Sequence, residues 1–443
     1  MVFNFDMGAF YHKWISDLAD TQRRNNNDGA FPECSPFYGH GHVEADPSWG
    51  IAAWKVPMKV AAYYDDPAIE QDWYPHARAY MEHWVTLALN NSGVLGILPI
   101  GDWGALNPAG PNGSPSFRPP SMAQFQYVTA LDAQAELAAR LGHTADAARY
   151  AELSVAARKE YLAHFYDPAT RCYGNCTDVE QIFGLALGLQ EDGSAEERDV
   201  YANARAWFGP DGNMSGYRFG GGITSLKALY PLLDKFGDSD LGLKFQLHTD
   251  APPSFGYWIA QNATTLFEFW GNNADTFNSG LNSYNHIMYG GAGSWSYSTL
   301  AGLQRAHGSR SWSDLIIAPP DGKLLDDLSW ANATIDTPMG VVSSAWSASG
   351  SRDSYTMQVV LPPNARARVV VPTLTASSAA TIAESGRTVW TKGAYVPGAP
   401  GIRFAAAGDT SVVFVVGSGS YSFRSAPTGR HDPVQRSLVR PRV

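Results

Sequence analysis

Apolar residues recur at helical spacing over most of residues 8–305, and loops rich in Gly, Pro and Asn separate the segments that carry this pattern. Examples are MGAFYHKWISDLADTQRR, QDWYPHARAYMEHWVTLALN and MAQFQYVTALDAQAELAARLG. Roughly eleven such segments are present, and several form pairs joined by a short loop. This part of the chain is therefore predicted to consist of helical hairpins.

The pattern changes after about residue 312. Segments such as MGVVSSAWSAS, DSYTMQVVLPP and TSVVFVVGSGSYSFRS alternate polar and apolar residues or are rich in β-branched residues, and turn residues separate them. This arrangement predicts an antiparallel β-sandwich. We therefore predict a helical domain over residues 1–310, a β-sandwich over 311–425, and a disordered, Arg- and Pro-containing tail over 426–443.

Antiparallel helix pairs build either an α-solenoid or a closed double ring of helices, the (α/α)6 toroid. A solenoid requires a fixed sequence period, and we find none in this chain. The loops are long and carry Asp, Trp, Asn and Gly, as in PIGDWGALNPAGPNGSPSFRPP. Loops of this kind on a rigid scaffold commonly carry function. The predicted fold class is therefore mostly α with a β domain, a toroid followed by a sandwich.

Charge and composition narrow the function. The formal net charge of −10 argues against nucleic acid and anionic membranes as partners, because both require a basic surface. No apolar run is long enough to span a bilayer. The chain contains 14 Trp and 21 Tyr, and flat aromatic rings pack well on the apolar face of a sugar. Any single Trp is nevertheless more often a core residue.

Cysteines and acceptor sequences for N-glycosylation bear on location. Cys172 and Cys176 flank a turn-like Tyr-Gly-Asn and could close a small disulfide, which leaves Cys34 over. The first residues, MVFNFDMGAFYHKW, lack the basic and apolar regions of a signal peptide. Asn-x-Ser/Thr sequences favour, mildly, a secreted full-length protein. They occur at Asn90, Asn112, Asn175, Asn213, Asn262 and Asn332.

Glu268 has the strongest local case for catalysis. In TLFEFWGNNADTF it stands among Phe267, Phe269 and Trp270, at the predicted C-terminal end of a helix and before a polar loop. Aromatic neighbours partly desolvate a carboxyl group, which suits such a group to proton transfer near neutral pH. The alternative is a glutamate on the solvated face of an amphipathic helix, and the spacing supports both interpretations equally.

Two further acidic groups lie in aromatic loops. Asp102 in GDWG could bind sugar hydroxyls while Trp103 stacks on the ring, or the pair could form an Asx-turn with a core Trp. The sequence GHVEADPSW places Glu44, Asp46 and Trp49 together. Asp46 precedes a proline and is better explained as a helix cap than as a catalytic group.

His286 follows Asn285 at a predicted helix start, where a neutral imidazole can exchange hydrogen bonds with a sugar hydroxyl. A lone His is more often a packing residue. His40 and His42 form the one close pair and lack further ligands, so no metal and no cofactor are predicted. The triple Gly at 220–222 lacks the strand that precedes a phosphate-binding loop, and no Gly-x-Ser-x-Gly occurs. Phosphoryl transfer and serine hydrolysis are therefore poor candidates.

Taken together, these stretches resemble the α-L-rhamnosidases of glycoside hydrolase family 78. The likeness runs nearly end to end, through FNFDMGAFYHKW, DPSWG, GDW, CYGNCTDVEQIFGLALGL, GITSLKALYPLL and the β region that begins at IIAPP. Its specific part is the combination of ATTLFE with SYNH, whereas GDW or DPSW alone would be weak. The resemblance implies a toroid that carries the active site and hydrolyses terminal α-L-rhamnose from small or oligosaccharide rhamnosides with inversion.

Residue roles follow from the same resemblance. It implies that Glu268 is the general base that activates water. His286 and Asp102 would hold rhamnose hydroxyls, and Trp103 would form a wall of the pocket. Trp49 and Trp258 are weaker candidates for the same pocket.

The sequence departs from the family pattern in one respect. Family members carry their general acid in an Asp-Cys-Pro-x-x-Glu type motif upstream of the FNFDM segment, and this chain contains no Asp-Cys-Pro. Inversion needs a second carboxyl group about 6.5–9.5 Å from the base. Loss of such a general acid lowers the rate of hydrolysis by a factor of about 10²–10⁴. We therefore expect that the toroid lacks its first helix. We also expect this chain to hydrolyse rhamnosides poorly or not at all.

Two alternatives remain open from the sequence. The first is a catalytically inactive remnant that binds rhamnose or another carbohydrate. The second is a different toroid enzyme, such as a glucosidase or a polysaccharide lyase. A lyase would need cationic residues beside its loops to neutralise a uronate, and the acidic chain shows no obvious Arg cluster there.

Overall fold

The computed structural model describes residues 4–24, 29–32, 34–35, 45–105, 116–209, 212, 216, 218–270 and 283–429. The chain divides into two compact units, Met1–Trp295 and Ser296–Val443. The first is helical and the second is built from β-strands.

Helices dominate the described residues of the first unit. They are α1 (Gly8–Arg24), α2 (Pro47–Gly50), α3 (Ala52–Tyr64), α4 (Ala68–Leu89), α5 (Ser121–Arg140), α6 (Thr144–Phe165), α7 (Asp178–Ala186), α8 (Ala195–Phe208), α9 (Ile223–Lys235), α10 (Ser239–Leu247), α11 (Phe255–Ala260) and α12 (Gly291–Trp295). Two short hairpins pair β1 (Asp102–Trp103) with β2 (Ser116–Phe117), and β3 (Tyr166–Asp167) with β4 (Cys172–Tyr173). A disulfide joins Cys172 to Cys176, and Cys34 is free.

Alternate helices of this unit differ sharply in burial. In α5, 14 of 20 residues are buried, but only 4 of 22 are buried in α6. The same contrast separates α7, with 8 of 9 residues buried, from α8, with 5 of 14. A helix that is buried on nearly every side must be surrounded by protein, whereas one with a single buried stripe lies at the surface. In this part of the chain, α5 and α7 therefore lie in an inner layer and α6 and α8 in an outer layer.

Packing order shows how the layers are arranged. Helices α3, α5, α7, α9 and α12 pack side by side in chain order, and each of the first four also packs against the helix that follows it in the chain. This arrangement of hairpins confirms the predicted toroid-like helical domain. The predicted absence of a first helix stays a prediction.

The second unit contains twelve strands among its described residues. They are β5 (Leu303–Arg305), β6 (Asp314–Ile317), β7 (Trp330–Thr337), β8 (Gly340–Ala348), β9 (Tyr355–Leu361), β10 (Arg366–Pro372), β11 (Ala380–Glu384), β12 (Arg387–Thr391), β13 (Ala394–Tyr395), β14 (Ile402–Ala407), β15 (Ser411–Val416) and β16 (Gly419–Pro427). A short helix, α13 (Leu324–Asp327), precedes β7.

These strands form two sheets that face each other. One has the order β14-β15-β10-β6-β5 and the other β13-β12-β11-β16-β9-β8-β7. Phe414 and Phe423 stack across the interior with ring centroids 5.7 Å apart. The predicted sandwich is confirmed, with one exception to its antiparallel pairing, because β10 and β6 run parallel.

The boundary between the units lies earlier than the predicted division after residue 310. Its physical reason is that β5 (Leu303–Arg305) pairs with β6 (Asp314–Ile317) and so belongs to the sandwich. At the other end, β16 continues to Pro427, beyond the predicted limit at 425. The predicted disordered tail lies, from residue 430 onward, outside the described residues.

Candidate functional site

Glu268 and Trp103 meet although 165 positions separate them. The indole Nε1 of Trp103 donates a hydrogen bond to Oε1 of Glu268 at 3.1 Å. The backbone N–H of Ser283 donates to Oε2 at 3.0 Å. Glu268 is half-buried, so the carboxylate is held by two donors and still reaches the surface of the site. The structure therefore brings together two of the residues that the sequence singled out.

The backbone around Glu268 is not helical, and the prediction that this residue ends a helix is wrong. Helix α11 ends at Ala260, because Asn262 adopts a left-handed conformation with φ 64°. The following segment instead pairs with the segment that begins at Ser283. Glu268 N–H donates to the Ser283 carbonyl at 2.9 Å, and His286 N–H donates to the Leu266 carbonyl at 2.8 Å. This pairing fixes the chain that carries Glu268 beside the chain that carries His286.

His286 is half-buried, and its ring orientation is set locally. Its Nδ1 accepts a hydrogen bond from the backbone N–H of Met288 at 3.3 Å. An acceptor nitrogen carries no proton, so the proton of the neutral imidazole is on Nε2. His286 can therefore present a donor N–H to a hydroxyl oxygen. The structure supports the predicted proximity of its chain segment to Glu268, and its contact with a sugar stays a prediction.

Asp102 lies beneath Trp103, with no exposed surface. One carboxylate oxygen accepts from the backbone N–H of Thr224 at 2.8 Å and of Ser225 at 3.3 Å. The other accepts from Gly222 N–H at 2.8 Å and from the Ser225 hydroxyl. Asp102 therefore caps the N-terminus of α9, where a negative charge is favoured.

This position changes the interpretation of Asp102. Both oxygens are engaged by protein donors and none of the side chain is exposed, so the structure gives Asp102 an anchoring role. The predicted contact between Asp102 and a sugar hydroxyl has no support in this geometry. Burial raises the pKa of Asp102, and the hydrogen bonds from Ser225 and the α9 backbone oppose that rise.

The triple Gly at 220–222 connects several parts of the site. Gly222 approaches the β1 hairpin so closely that a Cβ atom there would lie 2.3 Å from the Trp103 carbonyl oxygen. The Gly221 carbonyl accepts a hydrogen bond from the indole of Trp270 at 3.0 Å. These glycines therefore serve close backbone packing.

An aromatic cluster near Glu268 in the fold includes Trp258, Trp270 and Tyr289. Trp258 is 2% exposed and stacks on Trp270 with ring centroids 4.8 Å apart, and its Nε1 donates to the Trp270 carbonyl at 3.1 Å. Tyr289, which is fully buried, packs against both rings and donates to the Gly104 carbonyl at 2.9 Å. Trp258 is therefore a core residue of this cluster, and the structure gives no support to its predicted role as a pocket wall.

The part of the GHVEADPSW group that the structure describes, residues 45–49, contacts the segment just before Asp102. Asp46 caps α2 by accepting from Trp49 N–H at 2.7 Å, which confirms the predicted capping role. Asp46 also accepts from Ile100 N–H at 2.8 Å and so attaches this turn to the segment before Asp102. Trp49 is half-buried, and its indole nitrogen is buried without a hydrogen-bond partner. Glu44 lies outside the described residues, and contact of Trp49 with a sugar stays a prediction.

Asp178 is a buried carboxyl group near the site that the sequence did not single out. It is the first residue of α7 and is 4% exposed. Its Oδ1 accepts from Val179 N–H at 2.9 Å, and its Oδ2 is buried without a partner. Burial, assisted by the negative charge of Asp102, raises the pKa of Asp178 to about 7. In the sequence, Asp178 follows Thr177 as an ordinary acidic residue in the first turn of a helix, so only the unexpected burial distinguishes it.

The N-terminal ends of α2, α7 and α9 thus lie near the Asp102 loop and the triple Gly that it contacts. The caps of α2 and α9 contact residues 100–102, and the start of α7 lies near the peptide of Gly220. Helix N-termini carry partial positive charge and unpaired N–H groups. This end of the toroid therefore tolerates several carboxylates, of which Glu268 is half-buried while Asp46, Asp102 and Asp178 are buried.

The described residues contain no group of three or more His, Cys, Asp or Glu side chains arranged to hold a metal ion. Within the same ranges, no helix has the length and hydrophobicity that crossing a lipid bilayer requires.

Comparison with known proteins agrees with this architecture of paired helices followed by a sandwich. Residues 1–300 match the family described as the bacterial alpha-L-rhamnosidase 6 hairpin glycosidase domain, and residues 302–384 match the bacterial alpha-L-rhamnosidase C-terminal domain. The helical unit is therefore a six-hairpin glycosidase domain. More particularly, the chain belongs to the bacterial α-L-rhamnosidase family, as the sequence resemblance predicts.

Individual relatives carry the same name. An alpha-L-rhamnosidase of Streptomyces avermitilis is 26% identical over 430 residues, which are 95% of this chain and 36% of the relative. One from Formosa agariphila is 27% identical over 379 residues, covering 84% of this chain and 38% of the relative. The chain thus spans less than half the length of these curated relatives.

Solved structures of rhamnosidases share the fold. The alpha-L-rhamnosidase from Dictyoglumus thermophilum superposes with a TM-score of 0.80 at 25% identity, covering 95% of this chain and 44% of that one. The Streptomyces avermitilis enzyme, solved in complex with L-rhamnose, gives a TM-score of 0.76 at 25% identity over 94% of this chain and 36% of its own. Both similarities extend through helical and β regions alike.

Proposed function

We propose that this chain is the part of an α-L-rhamnosidase that binds terminal α-L-rhamnose and provides the general base, Glu268, for hydrolysis with inversion. The observation that carries the proposal is the half-buried Glu268 carboxylate, oriented by the Trp103 indole and the Ser283 peptide at a junction of helix ends. The choice of rhamnose as the sugar is supported by the family and by the L-rhamnose complex of a relative.

The proposed role of Glu268 is to remove a proton from water. The water oxygen attacks the anomeric carbon from the face opposite the leaving group, and Glu268 takes the proton as the new carbon–oxygen bond forms. The bond to the aglycone oxygen breaks with its electron pair on that oxygen, which takes a proton from a general acid or, for an acidic phenol, leaves as the anion and exchanges protons with solvent. Because this is a single displacement from the face opposite the leaving group, the anomeric configuration inverts.

Two hydrogen bonds hold the Glu268 carboxylate in one orientation. A fixed orientation suits a general base, which only accepts a proton, better than a nucleophile, which must turn to form a covalent bond. Each carboxylate oxygen accepts one hydrogen bond, from Trp103 or from Ser283, and a carboxylate oxygen has a second lone pair for water. The chain neighbours of Glu268, Phe267, Phe269 and Trp270, are buried. Within the proposal, the Nε2–H group of His286 donates a hydrogen bond to a rhamnose hydroxyl.

The test separates the base from the general acid. The substrate 2,4-dinitrophenyl α-L-rhamnoside has a leaving group so acidic that its departure needs no protonation, so its hydrolysis depends on the base. We expect hydrolysis by this chain to release β-L-rhamnose first, observed by proton NMR. Glu268→Gln is expected to reduce turnover by about 10²–10⁴.

A matched control uses Glu191→Gln, since Glu191 is an exposed glutamate in the loop after α7. It is expected to leave turnover unchanged. First release of α-L-rhamnose, or full turnover in Glu268→Gln, would contradict the proposal. Binding of L-rhamnose in calorimetry without any hydrolysis of the activated substrate would favour the carbohydrate-binding alternative.

A further inference from the structure

The sandwich unit contains an open cavity that the proposed active site does not use. Its volume is about 580 Å³, and residues from 296–301 and 327–334 line it, all of them within the second unit. Sites for small molecules and sugars commonly measure about 300–1,000 Å³. The volume of the cavity therefore lies within the range of ligand-binding sites.

An exposed tryptophan forms one side of this cavity. Trp330 is 65% exposed, although an indole is among the most costly side chains to leave in water. It is the first residue of β7, which lies at the edge of its sheet and pairs with β8 alone. A flat, exposed ring on a paired strand is a rigid platform for the apolar face of a pyranose.

Polar side chains stand on the same side of the strand as the indole. Successive residues of a strand point to opposite faces, so Trp330, Asn332 and Thr334 share one face. All three are exposed, as are Ser329 and Asp327 just before the strand. Hydroxyl, amide and carboxylate groups of this kind pair with sugar hydroxyls. The residues that line the cavity therefore combine a stacking surface with both donors and acceptors.

Charge limits the class of ligand. The lining residues include one ionisable carboxylate, Asp327, and no Lys, Arg or His. An anionic ligand such as a uronate or a phosphorylated group would meet repulsion without any compensating cation. The chemistry of the cavity therefore fits a neutral, polyhydroxylated ligand.

We propose that this cavity is a second carbohydrate site that binds a neutral oligosaccharide by stacking on Trp330 and by hydrogen bonds to Asp327 and Asn332. The selection of a rhamnose-containing oligosaccharide rests on the proposed function, whereas the preference for a neutral sugar rests on the cavity alone. The site would hold a polymeric substrate near the enzyme by adding a second point of attachment.

The experiment measures binding in the Glu268→Gln chain, in which the ligand is not consumed. An α-linked rhamnotetraose is titrated by calorimetry into this chain with and without Trp330→Ala. The matched control is Val341→Ala, since Val341 is an exposed residue of the neighbouring strand outside the cavity lining. We expect Trp330→Ala to weaken one binding event at least about tenfold and Val341→Ala to leave it unchanged.

Further readouts separate this proposal from the proposed function. An oligogalacturonate of equal length is expected to bind at least about tenfold more weakly than rhamnotetraose at this site. Trp330→Ala in the otherwise unchanged chain is expected to hydrolyse 2,4-dinitrophenyl α-L-rhamnoside at the original rate. Equal binding of rhamnotetraose with and without Trp330, preference for the oligogalacturonate, or concentration-dependent self-association that Trp330→Ala abolishes would overturn the proposal. Full turnover in Glu268→Gln would overturn the proposed general base, whereas weaker binding in Trp330→Ala would still support the cavity as a carbohydrate site.

Discussion

The Trp103 indole donates to the Glu268 carboxylate at 3.1 Å, and this single hydrogen bond joins two loops that are 165 positions apart. On the other side of the carboxylate, the Ser283 peptide donates at 3.0 Å. Two donors define the plane of the carboxylate group, and hydrogen bonds to a charged group contribute about 1.5–3 kcal/mol each. The direction in which Glu268 faces water is therefore set by its partners and not by a helix.

Trp103→Phe should lower turnover while it preserves the packing of the ring. The substitution removes the indole donor, so Oε1 of Glu268 loses one of the groups that orient it. We expect kcat for 2,4-dinitrophenyl α-L-rhamnoside to fall about tenfold, which corresponds to about 1.4 kcal/mol. The matched control is Trp390→Phe, which removes an indole donor to the Ser377 carbonyl in the sandwich. An unchanged kcat in Trp103→Phe would show that the hydrogen bond has no role in catalysis.

His286→Ala should act on substrate affinity more than on the chemical step. The ring orients Nε2–H outward because Nδ1 accepts from the Met288 N–H, and we assign that donor to a sugar hydroxyl. Loss of one such hydrogen bond is expected to raise KM about tenfold. Steady-state kinetics measure KM and kcat, and calorimetry with L-rhamnose checks the affinity directly. His164→Ala, at an exposed histidine of α6, is the control.

The sequence predicts some of the site and misses the rest for identifiable reasons. The clustering of aromatic and acidic residues marks GDW and the Glu268 segment separately, and only the family resemblance implies that they share one pocket. The prediction of a helix that ends at Glu268 is wrong, because helical spacing does not reveal that Asn262 takes a left-handed conformation. The non-helical backbone after Asn262 goes with the pairing of residues 266–268 with 283–286. That pairing is a tertiary contact, which local spacing does not reveal.

The roles of Asp102 and Trp258 show a second limit. An aspartate beside a tryptophan in a loop has the same local sequence whether it faces a ligand or caps a helix. The cap that Asp102 forms involves N–H groups 120 to 123 positions away. Trp258 similarly finds its partners, Trp270 and Tyr289, only in the folded chain. The fold class was more predictable because hydrophobic periodicity is a local property.

Asp102→Ala should destabilise the helical unit. The substitution leaves the N–H groups of Gly222 and Thr224 at the start of α9 buried without an acceptor. Each unsatisfied buried donor costs about 1–3 kcal/mol, so we expect the free energy of unfolding to fall by about 3 kcal/mol. Urea denaturation measures this change. The control is Asp167→Ala, because Asp167 accepts similar local hydrogen bonds in an exposed turn. A loss of rhamnose affinity with unchanged stability would restore the predicted sugar contact of Asp102.

Gly222→Ala tests the close packing between the triple Gly and the β1 hairpin. An added Cβ would lie 2.3 Å from the Trp103 carbonyl oxygen and 2.7 Å from that of Asp102. Both obstacles are backbone atoms, so the loop itself must move. We expect a loss of about 1–3 kcal/mol in stability together with reduced turnover, because the moved residues orient Glu268. Gly293→Ala in α12, where a Cβ meets nothing within 4 Å, should be neutral or slightly stabilising.

Asp178 should make the stability of the protein depend on pH. The folded chain retains the Asp178 proton up to a pKa of about 7, whereas an aspartate in the unfolded chain loses it near 3.9. Between these values the folded state holds a proton that the unfolded state lacks. Raising the pH through this range therefore lowers the free energy of unfolding by about 1.4 kcal/mol per unit, and the loss is complete above about pH 7.

Asp178→Asn should remove this contribution, since an amide keeps the acceptor for Val179 N–H but does not titrate. The charged group that faces Asp178 most directly, Asp102, is present in both proteins, so its effect largely cancels in their difference. We expect Asp178→Asn to gain stability relative to the parent as the pH rises from 5 to 8, measured by urea denaturation at each pH. Asp199→Asn, at an exposed position of α8, should give a difference that does not vary with pH. A constant difference for Asp178→Asn would mean that its carboxyl group is already ionised at pH 5.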